Sequence, residues 1–229
     1  MARRGTEIRD DAQGGAVGSG ADTSTAILDA ARRLFLDAGY EGVNLDQVGR
    51  AAGVSRQTVY NQFGSKDAVF RAVVDRHWDA IRTEVAAVSA PSLGLDADAE
   101  SVLRRFAQSL LRFVHETDQI AFTRLVIAES RHLPWIAEAF YQAGKAPLVE
   151  AFAAVLTKLT ERRLLTCNRP ELAARQFMGL IQEFVIWPHV MAVGIEATGA
   201  LSEEVVVDEA VAVFLARYGL KRQAAAMRG

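Results

Sequence analysis

The N-terminal part of the chain takes its fold from the run Asn44-Leu-Asp-Gln-Val-Gly-Arg-Ala-Ala-Gly-Val-Ser-Arg-Gln-Thr-Val-Tyr-Asn-Gln-Phe63. Its first four residues have the spacing of a capping box, which predicts a helix that begins just after Asn44. Gly53 is typical of the residue that ends such a helix, and Ser55 can cap a second short helix. Two short helices joined by a tight, glycine-containing turn predict a helix-turn-helix, and we expect them to cross at the small residues Ala51 and Ala52.

The second of these helices has one apolar side and one polar side. Val54, Val59 and Phe63 are spaced to anchor it against a core. The polar side carries residues that can hydrogen-bond to base edges, where Arg fits guanine and Asn or Gln fits adenine. These residues are Arg56, Gln57, Thr58, Asn61 and Gln62. Such a helix can lie in the major groove of DNA, and the backbone N–H groups at the two helix starts can bind phosphate oxygens.

Residues on both sides of this run extend the pattern. The series Phe35-x3-Gly39-Tyr40, Val48-Gly-Arg-Ala-Ala-Gly-Val-Ser55 and Thr58-Val-Tyr60-x2-Phe63-x2-Lys66 resembles the TetR family of bacterial transcriptional regulators over residues 24–72, without a gap. The resemblance implies a homodimer that binds a palindromic double-stranded DNA operator, more often as a repressor. Two residues depart from the family pattern. Gly49 replaces an Ala, which weakens the helix by about 0.5–1 kcal/mol, and Val43 replaces a Thr and so removes a phosphate contact.

The resemblance also implies a division of roles among the DNA-binding residues. Phosphate contacts set the register of a protein on DNA, and base contacts set the sequence it prefers. Positions that usually grip phosphate are occupied by Ser55, Thr58, Tyr60 and Lys66, with Asn44 as a helix cap. Variable positions that usually read bases are occupied by Arg56, Gln57, Asn61 and Gln62. The alternatives are structural: packing for Tyr60, a local bond for Lys66 and a solvated position for Arg50.

The rest of the chain has the apolar spacing of helices almost throughout. We predict an all-α fold of about nine helices, with a break at Pro147. The first predicted helix follows possible caps at 22–24 and ends at Gly39, and Ser65 caps a fourth that runs to about Ser89. The other predicted helices are 45–52, 56–63, 98–116, 118–130, 134–162, 169–193 and 202–217, with a loop at 90–96. The resulting division is a disordered tail at 1–21, a DNA-binding domain at 22–66, a ligand-binding and dimerisation domain at 67–219, and a tail at 220–229.

The second half of the chain resembles the AefR-like C-terminal body found in some TetR-family members. The residues that carry this resemblance are Arg124-Leu-Val-Ile-Ala-Glu129, Pro134-Trp, Phe140-Tyr141 and Pro170-Glu-Leu-Ala-Ala-Arg-Gln-Phe177. The resemblance implies that the body dimerises, and we expect the dimer to form through 169–193 and 202–217. The apolar faces of these segments hold Ala173, Phe177, Leu180, Ile181, Phe184, Val207, Ala210, Val211, Phe214 and Leu215. The alternative is that these faces belong to the internal core.

The resemblance further implies a pocket for a small-molecule effector within the body. Such pockets are mainly apolar with a few polar anchors, so large aromatic residues are the candidate contacts. They favour an apolar or aromatic effector, although aromatic residues at helical spacing are also typical of a core. The candidates are Phe106, Phe113, Phe122, Trp135, Tyr141, Phe177 and Trp187. Pro188 predicts a helix kink beside the last of them.

Composition excludes several other classes of protein. The chain has 229 residues, a net charge of −2 and one cysteine, which excludes a disulfide framework within one chain. No run approaches the roughly 18 consecutive apolar residues of a membrane span, and no apolar segment of a secretory signal follows the first residues. We therefore expect a cytoplasmic protein. The excess of positive charge is local and mild, with three cations against one acid over residues 44–66.

Other function classes remain as alternatives. An enzyme would need a catalytic or metal-binding motif, whereas the four histidines are isolated, and neither His-Glu-x-x-His nor Gly-x-Ser-x-Gly occurs. We therefore expect no enzymatic activity, metal or cofactor. Cys167 has only Arg163 or Arg169 to activate it as a thiol sensor. A helical adaptor that binds protein would leave the polar side of 56–62 unexplained, and a regulator without an effector is the remaining alternative.

Overall fold

The structure is a computed structural model that describes residues 20–89, 98–193 and 201–220. The predicted loop at 90–96 lies outside the described residues, as do residues 1–19 and 221–229 of the two predicted tails. Gly20 and Ala21 were expected in the tail but form the first turn of a helix. The described residues contain helices and no strand beyond an isolated antiparallel bridge between Leu165 and Gly219. The all-α prediction is confirmed.

The helices follow the predicted order along the chain. The first four are α1 (Gly20–Ala38), α2 (Leu45–Ala52), α3 (Arg56–Phe63) and α4 (Lys66–Ser89). The next are α5 (Ala99–Glu116), α6 (Gln119–Glu129), α7 (Pro134–Phe140), a π-helical segment (Tyr141–Lys145) and α8 (Ala146–Glu161). The last are α9 (Pro170–Val185), α10 (Trp187–Val190) and α11 (Glu203–Tyr218). Among the described helices, none is long and apolar enough to span a membrane.

Two of the nine predicted helices are split, each beside a proline. Pro147 lies in the first turn of α8, and the chain before it widens into the π-helical segment, because proline removes a backbone donor and crowds the preceding turn. Pro188 lies in the first turn of α10, and the helical path breaks at Ile186, where φ is −112°. The break predicted at Pro147 and the kink predicted at Pro188 are both confirmed. The break before Pro147 extends over the whole π-helical segment.

Helix α4 connects the N-terminal helices to the rest of the fold. In its first half, the ring of Phe70 packs edge-on against Phe35 of α1 with centroids 5.2 Å apart. In its second half, Trp78 stacks on Phe113 of α5 at 5.2 Å. The apolar residues predicted along α4 are all buried: Val69, Phe70, Val73, Val74, Trp78, Ile81 and Val85. One continuous core therefore runs from the helix-turn-helix into the helical body.

Candidate nucleic-acid interface and ligand cavity

The start of α2 forms the capping box that its sequence predicts. The Asn44 side-chain oxygen accepts the backbone N–H groups of Asp46 and Gln47, each at 3.0 Å. In return, the side-chain oxygen of Gln47 accepts the Asn44 N–H at 2.8 Å. Two backbone donors of the first turn, those of Asp46 and Gln47, are therefore satisfied locally, and the side-chain oxygen of Asn44 is committed to this cap.

The turn between α2 and α3 depends on two glycines. Gly53 has φ = 70°, the left-handed conformation that glycine adopts most readily. A Cβ added to Gly49 would lie 2.9 Å from the Val54 carbonyl oxygen and 3.1 Å from the Arg56 nitrogen, so the close approach of the two helices occurs at Gly49. Of the two small residues predicted at the crossing, Ala51 is exposed, so the prediction is wrong for it, whereas Ala52 packs against the core from a partly buried position.

Helix α3 presents its polar side to solvent, as predicted. Val59 is fully buried, and Val54 and Phe63 pack against the core from partly buried positions. The side chain of Tyr60 is 55% exposed. The predicted base-reading residues are all exposed on the same short helix: Arg56, Gln57, Asn61 and Gln62. Val43, which replaces a Thr of the family pattern, is only 2% exposed and contributes to the core instead of to this surface.

Several of these polar residues are already hydrogen-bonded to one another. The Gln57 side-chain amide donates to the Asn61 side-chain oxygen at 2.7 Å, so these two residues form one unit on the exposed face. Ser55 caps α3 by accepting the Thr58 N–H at 3.0 Å, and the two hydroxyl oxygens lie 2.9 Å apart. Ser55 therefore supports the start of the helix as well as facing solvent beside it.

The two remaining basic candidates are held by local contacts. Lys66 Nζ donates to the Tyr40 carbonyl oxygen at 3.1 Å and lies 4.1 Å from the centroid of the Tyr40 ring. This is the local bond considered as the alternative to a phosphate contact. Arg50 forms an exposed ion pair with Asp46 at 2.6 Å, one helical turn away. A pair of this kind on a solvated surface contributes little to stability.

A junction around Tyr40, which sequence analysis missed, connects the helix-turn-helix to the body. The Tyr40 N–H donates to a carboxylate oxygen of Glu129, in the last turn of α6, at 2.8 Å. Its ring packs edge-on against Trp135 of α7 at 5.2 Å, and its hydroxyl bonds to Asp67. Burial and this bond raise the pKa of Tyr40, so the hydroxyl stays protonated and donates. No sequence pattern links Tyr40 to a residue 89 positions away.

The seven aromatic residues predicted to contact an effector do not line one cavity. Phe106, Phe122 and Phe177 are fully buried, and Phe106 stacks on Phe152 with centroids 3.6 Å apart. Trp135 belongs to the Tyr40 junction. Tyr141 is 38% exposed and Trp187 is 41% exposed, and the Tyr141 hydroxyl accepts a bond from Arg175 at 2.9 Å. Of the seven, Phe113 alone lines the internal cavity described next.

That cavity lies inside the body between α4, α5, α8 and α9. It has a volume of about 20 Å³ and is lined mainly by apolar side chains, with two glutamines. Gln119 bonds to His77 at 2.9 Å, and both are buried. Burial lowers the pKa of His77, so its imidazole is neutral at neutral pH. The second glutamine, Gln182, accepts a hydrogen bond from Lys145 Nζ at 2.8 Å.

An apolar groove lies on the outer side of α9 and α11. Its volume is about 570 Å³, and its lining includes Gln176, Gly179, Leu180, Phe184, Val213 and Arg217. Phe184 is 49% exposed and Val213 is 51% exposed. Most residues named in the predicted dimer faces are buried inside the chain, as in the internal-core alternative: Ala173, Phe177, Ile181, Val207, Ala210, Val211 and Phe214. Among the predicted residues, Phe184 faces outward and Leu180 does so in part.

Comparison with known proteins agrees with this arrangement. A family model for bacterial regulatory proteins of the tetR family matches residues 27–73, and a model for the C-terminal domain of AefR-like transcriptional repressors matches residues 101–220. The transcriptional regulator AlkX of Mycobacterium tuberculosis is 35% identical over 92 residues. That match covers 40% of this chain and 41% of AlkX, so it spans less than half of either protein.

Solved structures match over most of the chain. A TetR-family transcriptional regulator from Mesorhizobium loti has a TM-score of 0.75 and 26% identity, over 88% of this chain and 99% of that one. The flavonoid-responsive regulator FrrA has a TM-score of 0.70 and 27% identity over the same shares of the two chains. The likeness therefore extends from the helix-turn-helix through the helical body.

Proposed function

Because the chain belongs to the TetR family of bacterial regulatory proteins, with an AefR-like C-terminal domain, we propose that it is a sequence-specific DNA-binding transcriptional regulator. The observation that carries the proposal is the exposed polar side of α3, held beside a satisfied capping box and a glycine turn. Residues 22–66 form the DNA-binding domain, and residues 67–219 form the domain for ligand binding and dimerisation. The description of the C-terminal family favours a repressor.

The DNA-binding residues divide into two groups. Arg56, Gln62 and the bonded pair Gln57–Asn61 read base edges from the exposed face of α3. Ser55, Thr58, Tyr60, Lys66 and the helix start at Asn44 hold the phosphate backbone. Lys66 gives one of its three N–H donors to the Tyr40 carbonyl, which leaves the others for a charge-assisted bond to a phosphate.

The regulator acts as a homodimer that uses the outer groove of α9 and α11. Phe184 and Val213 are large exposed apolar residues on neighbouring helices, and a two-fold interface places the same surface of each copy in contact. A two-fold dimer presents two copies of α3 to successive major grooves about 34–36 Å apart. This symmetry matches a palindromic operator.

A small-molecule effector bound in the body releases the DNA. The relative FrrA is flavonoid-responsive by name, which supports a small-molecule response for the shared fold. A ligand shifts a conformational equilibrium only if it binds one state more tightly than the other. The cavity of about 20 Å³ is far smaller than the roughly 300–1,000 Å³ of ligand pockets, so an effector binds only where the helices have moved apart. The Tyr40 junction then carries that movement from α6 and α7 to the DNA-binding domain.

Selection of bound sequences from a random duplex pool tests the proposal, with binding of the selected duplex then measured against salt concentration. We expect a palindromic winner. Tyr60→Phe and Lys66→Ala should weaken binding to all sequences alike, and Lys66→Ala should lower the salt slope by ~1. Gln57→Ala and Asn61→Ala should relax the choice at particular base pairs.

Arg50→Ala is the matched control, because Arg50 is an exposed cation of the same domain paired with Asp46. We expect it to leave sequence choice unchanged. Identical behaviour of all four test variants would contradict the division into two groups. Absence of any enriched sequence at low salt, with and without candidate effectors, would contradict DNA binding and favour the adaptor function.

A further inference from the structure

Lys145 occupies an unusual position for a lysine in this fold. It ends the π-helical segment, and its ammonium group is turned inward to donate to the side chain of Gln182, which lines the internal cavity. Segments of π-helix are rare and occur frequently at functional sites, because the extra residue moves side chains off the regular helical positions. The π turn therefore places a cation next to Gln182, one of the residues that line a mainly apolar cavity.

The charge of Lys145 has no counter-ion in the described part of the chain. Its single hydrogen-bond acceptor there is the neutral Gln182, and the one charged group that acts on it is the cation Arg175. Burial and this second cation lower the pKa of Lys145 to about 8. Lys145 is partly buried, and one of its three N–H donors is taken by a neutral acceptor, so no anion in the described residues pairs with its charge.

The lining of the cavity also holds a buried donor without a hydrogen-bond partner among the described residues. Trp78 is 3% exposed and lines the cavity, and its indole N–H has no hydrogen-bond partner among the residues described. Its ring lies directly against Gly144, where a Cβ would overlap it. Buried polar groups in native proteins are nearly always paired, and an unpaired one requires an explanation. Trp78 therefore offers a donor in the lining of the cavity, and Lys145 brings a positive charge to Gln182 of the same lining.

The remaining walls of the cavity are apolar. Phe113 and Leu110 of α5, Leu148 of α8, and Ile181 and Val185 of α9 supply most of the lining. No carboxylate lines the cavity within the described residues. The site thus combines an apolar enclosure with a cation at one edge, an arrangement that fits a molecule with an apolar body and one anionic end.

We propose that Lys145 binds the carboxylate of an organic acid whose apolar body occupies an enlarged form of this cavity. The inference rests on the proposed effector function and names the chemical class of the effector. The carboxylate oxygens accept from Lys145 Nζ and Trp78 Nε1, and Gln182 keeps its place beside the ammonium group. A neutral molecule of the same shape leaves the ammonium unpaired and binds more weakly.

Calorimetric titration of the full-length protein with matched acids and alcohols tests this proposal. The probes are 1-naphthoate against 1-naphthalenemethanol, and octanoate against 1-octanol, so that an aromatic and an alkyl body are each compared with and without the charge. We expect the acid of at least one pair to bind about tenfold or more tightly than its alcohol, the range of one charged hydrogen bond. The pair that shows the preference identifies the kind of body.

Three variants locate the effect. Lys145→Met should abolish the preference for the acid and leave the alcohol affinity unchanged, whereas Lys145→Arg, which keeps the charge, should retain it. Lys158→Met removes an exposed lysine of α8 and should change nothing. Three outcomes would each overturn the assignment. They are equal affinity for acid and alcohol, an acid preference that survives Lys145→Met, and no binding of any probe at about 1 mM. Operator binding is measured separately and does not depend on which probe binds. A protein that binds its operator but shows no acid preference would therefore refute the proposed ligand class and leave the regulator function standing.

Discussion

Replacing Lys145 with Met should make the protein more stable at neutral pH. Burial and the nearby Arg175 lower the pKa of Lys145 from 10.5 to about 8, so the folded state holds the charged form at a cost. One pKa unit corresponds to about 1.4 kcal/mol, and the shift therefore costs roughly 3 kcal/mol at pH 7. Methionine fills a similar volume without a charge. The substitution leaves the Gln182 side-chain oxygen without its hydrogen-bond donor, which costs about 1 kcal/mol and reduces the stabilisation by that amount.

The net gain of about 2 kcal/mol at pH 7 should disappear as the pH rises. Between pH 8 and pH 10.5 the unfolded chain keeps the proton of Lys145 while the folded protein has lost it. The unfolded state then binds more protons, so the free energy of unfolding of the wild type rises with pH across this window. Other groups titrate in both proteins and cancel in the comparison, and the difference between Lys145→Met and wild type should be close to zero near pH 10.

Urea denaturation at pH 7 and pH 10 measures this difference, at one protein concentration because dimerisation shifts apparent stability. A gain of about 2 kcal/mol corresponds to a rise in Tm of roughly 4–8 °C for a chain of this size. Lys158→Met, at an exposed position of α8, should lie within about 0.5 kcal/mol of wild type at both pH values. A loss of stability in Lys145→Met at pH 7, or a gain that does not change with pH, would refute the argument from burial.

Three further changes test other parts of the structure. His77→Gln should reduce the stability that the protein loses between pH 7 and pH 5. Burial lowers the pKa of His77, so the unfolded state takes up the proton first, below about pH 6.5, and acid favours unfolding of the wild type. Urea denaturation at both pH values measures the loss, and an equal loss in variant and wild type would contradict this. Glu129→Ala should lower the free energy of unfolding by about 1–3 kcal/mol, because it leaves the Tyr40 N–H without its acceptor, and Glu129→Gln, measured in the same way, should lose less. Phe184→Glu should shift sedimentation from dimer towards monomer, whereas Ile127→Glu, equally exposed on α6, should not; a stable Phe184→Glu dimer would place the interface elsewhere.

The local sequence predicts one part of the candidate site and misses another. The caps at Asn44 and Ser55, the turn at Gly53 and the polar side of α3 follow from residues within one or two helical turns, and the structure has all of them. The aromatic candidates for ligand contact do not line one cavity, because aromatic residues at helical spacing are equally typical of a core. Lys145 and Gln182 carry no such spacing and were not predicted.

The sequence by itself therefore determined which segments are helical, where each helix is capped or broken, and which short helix presents a polar surface. These features depend on backbone donors, glycine and proline geometry, and side chains a few residues apart. Tertiary structure alone decided that Glu129 holds the loop at Tyr40, that Gly49 is the point of closest approach, and that Phe184 faces outward while Phe177 is buried. It also decided that Lys145 bonds to Gln182 in the lining of a cavity where no described residue supplies a carboxylate. The physical reason is that the burial and pairing of a residue depend on which distant helix packs against it. Periodicity predicts the apolar side of each helix but does not predict which helix packs there.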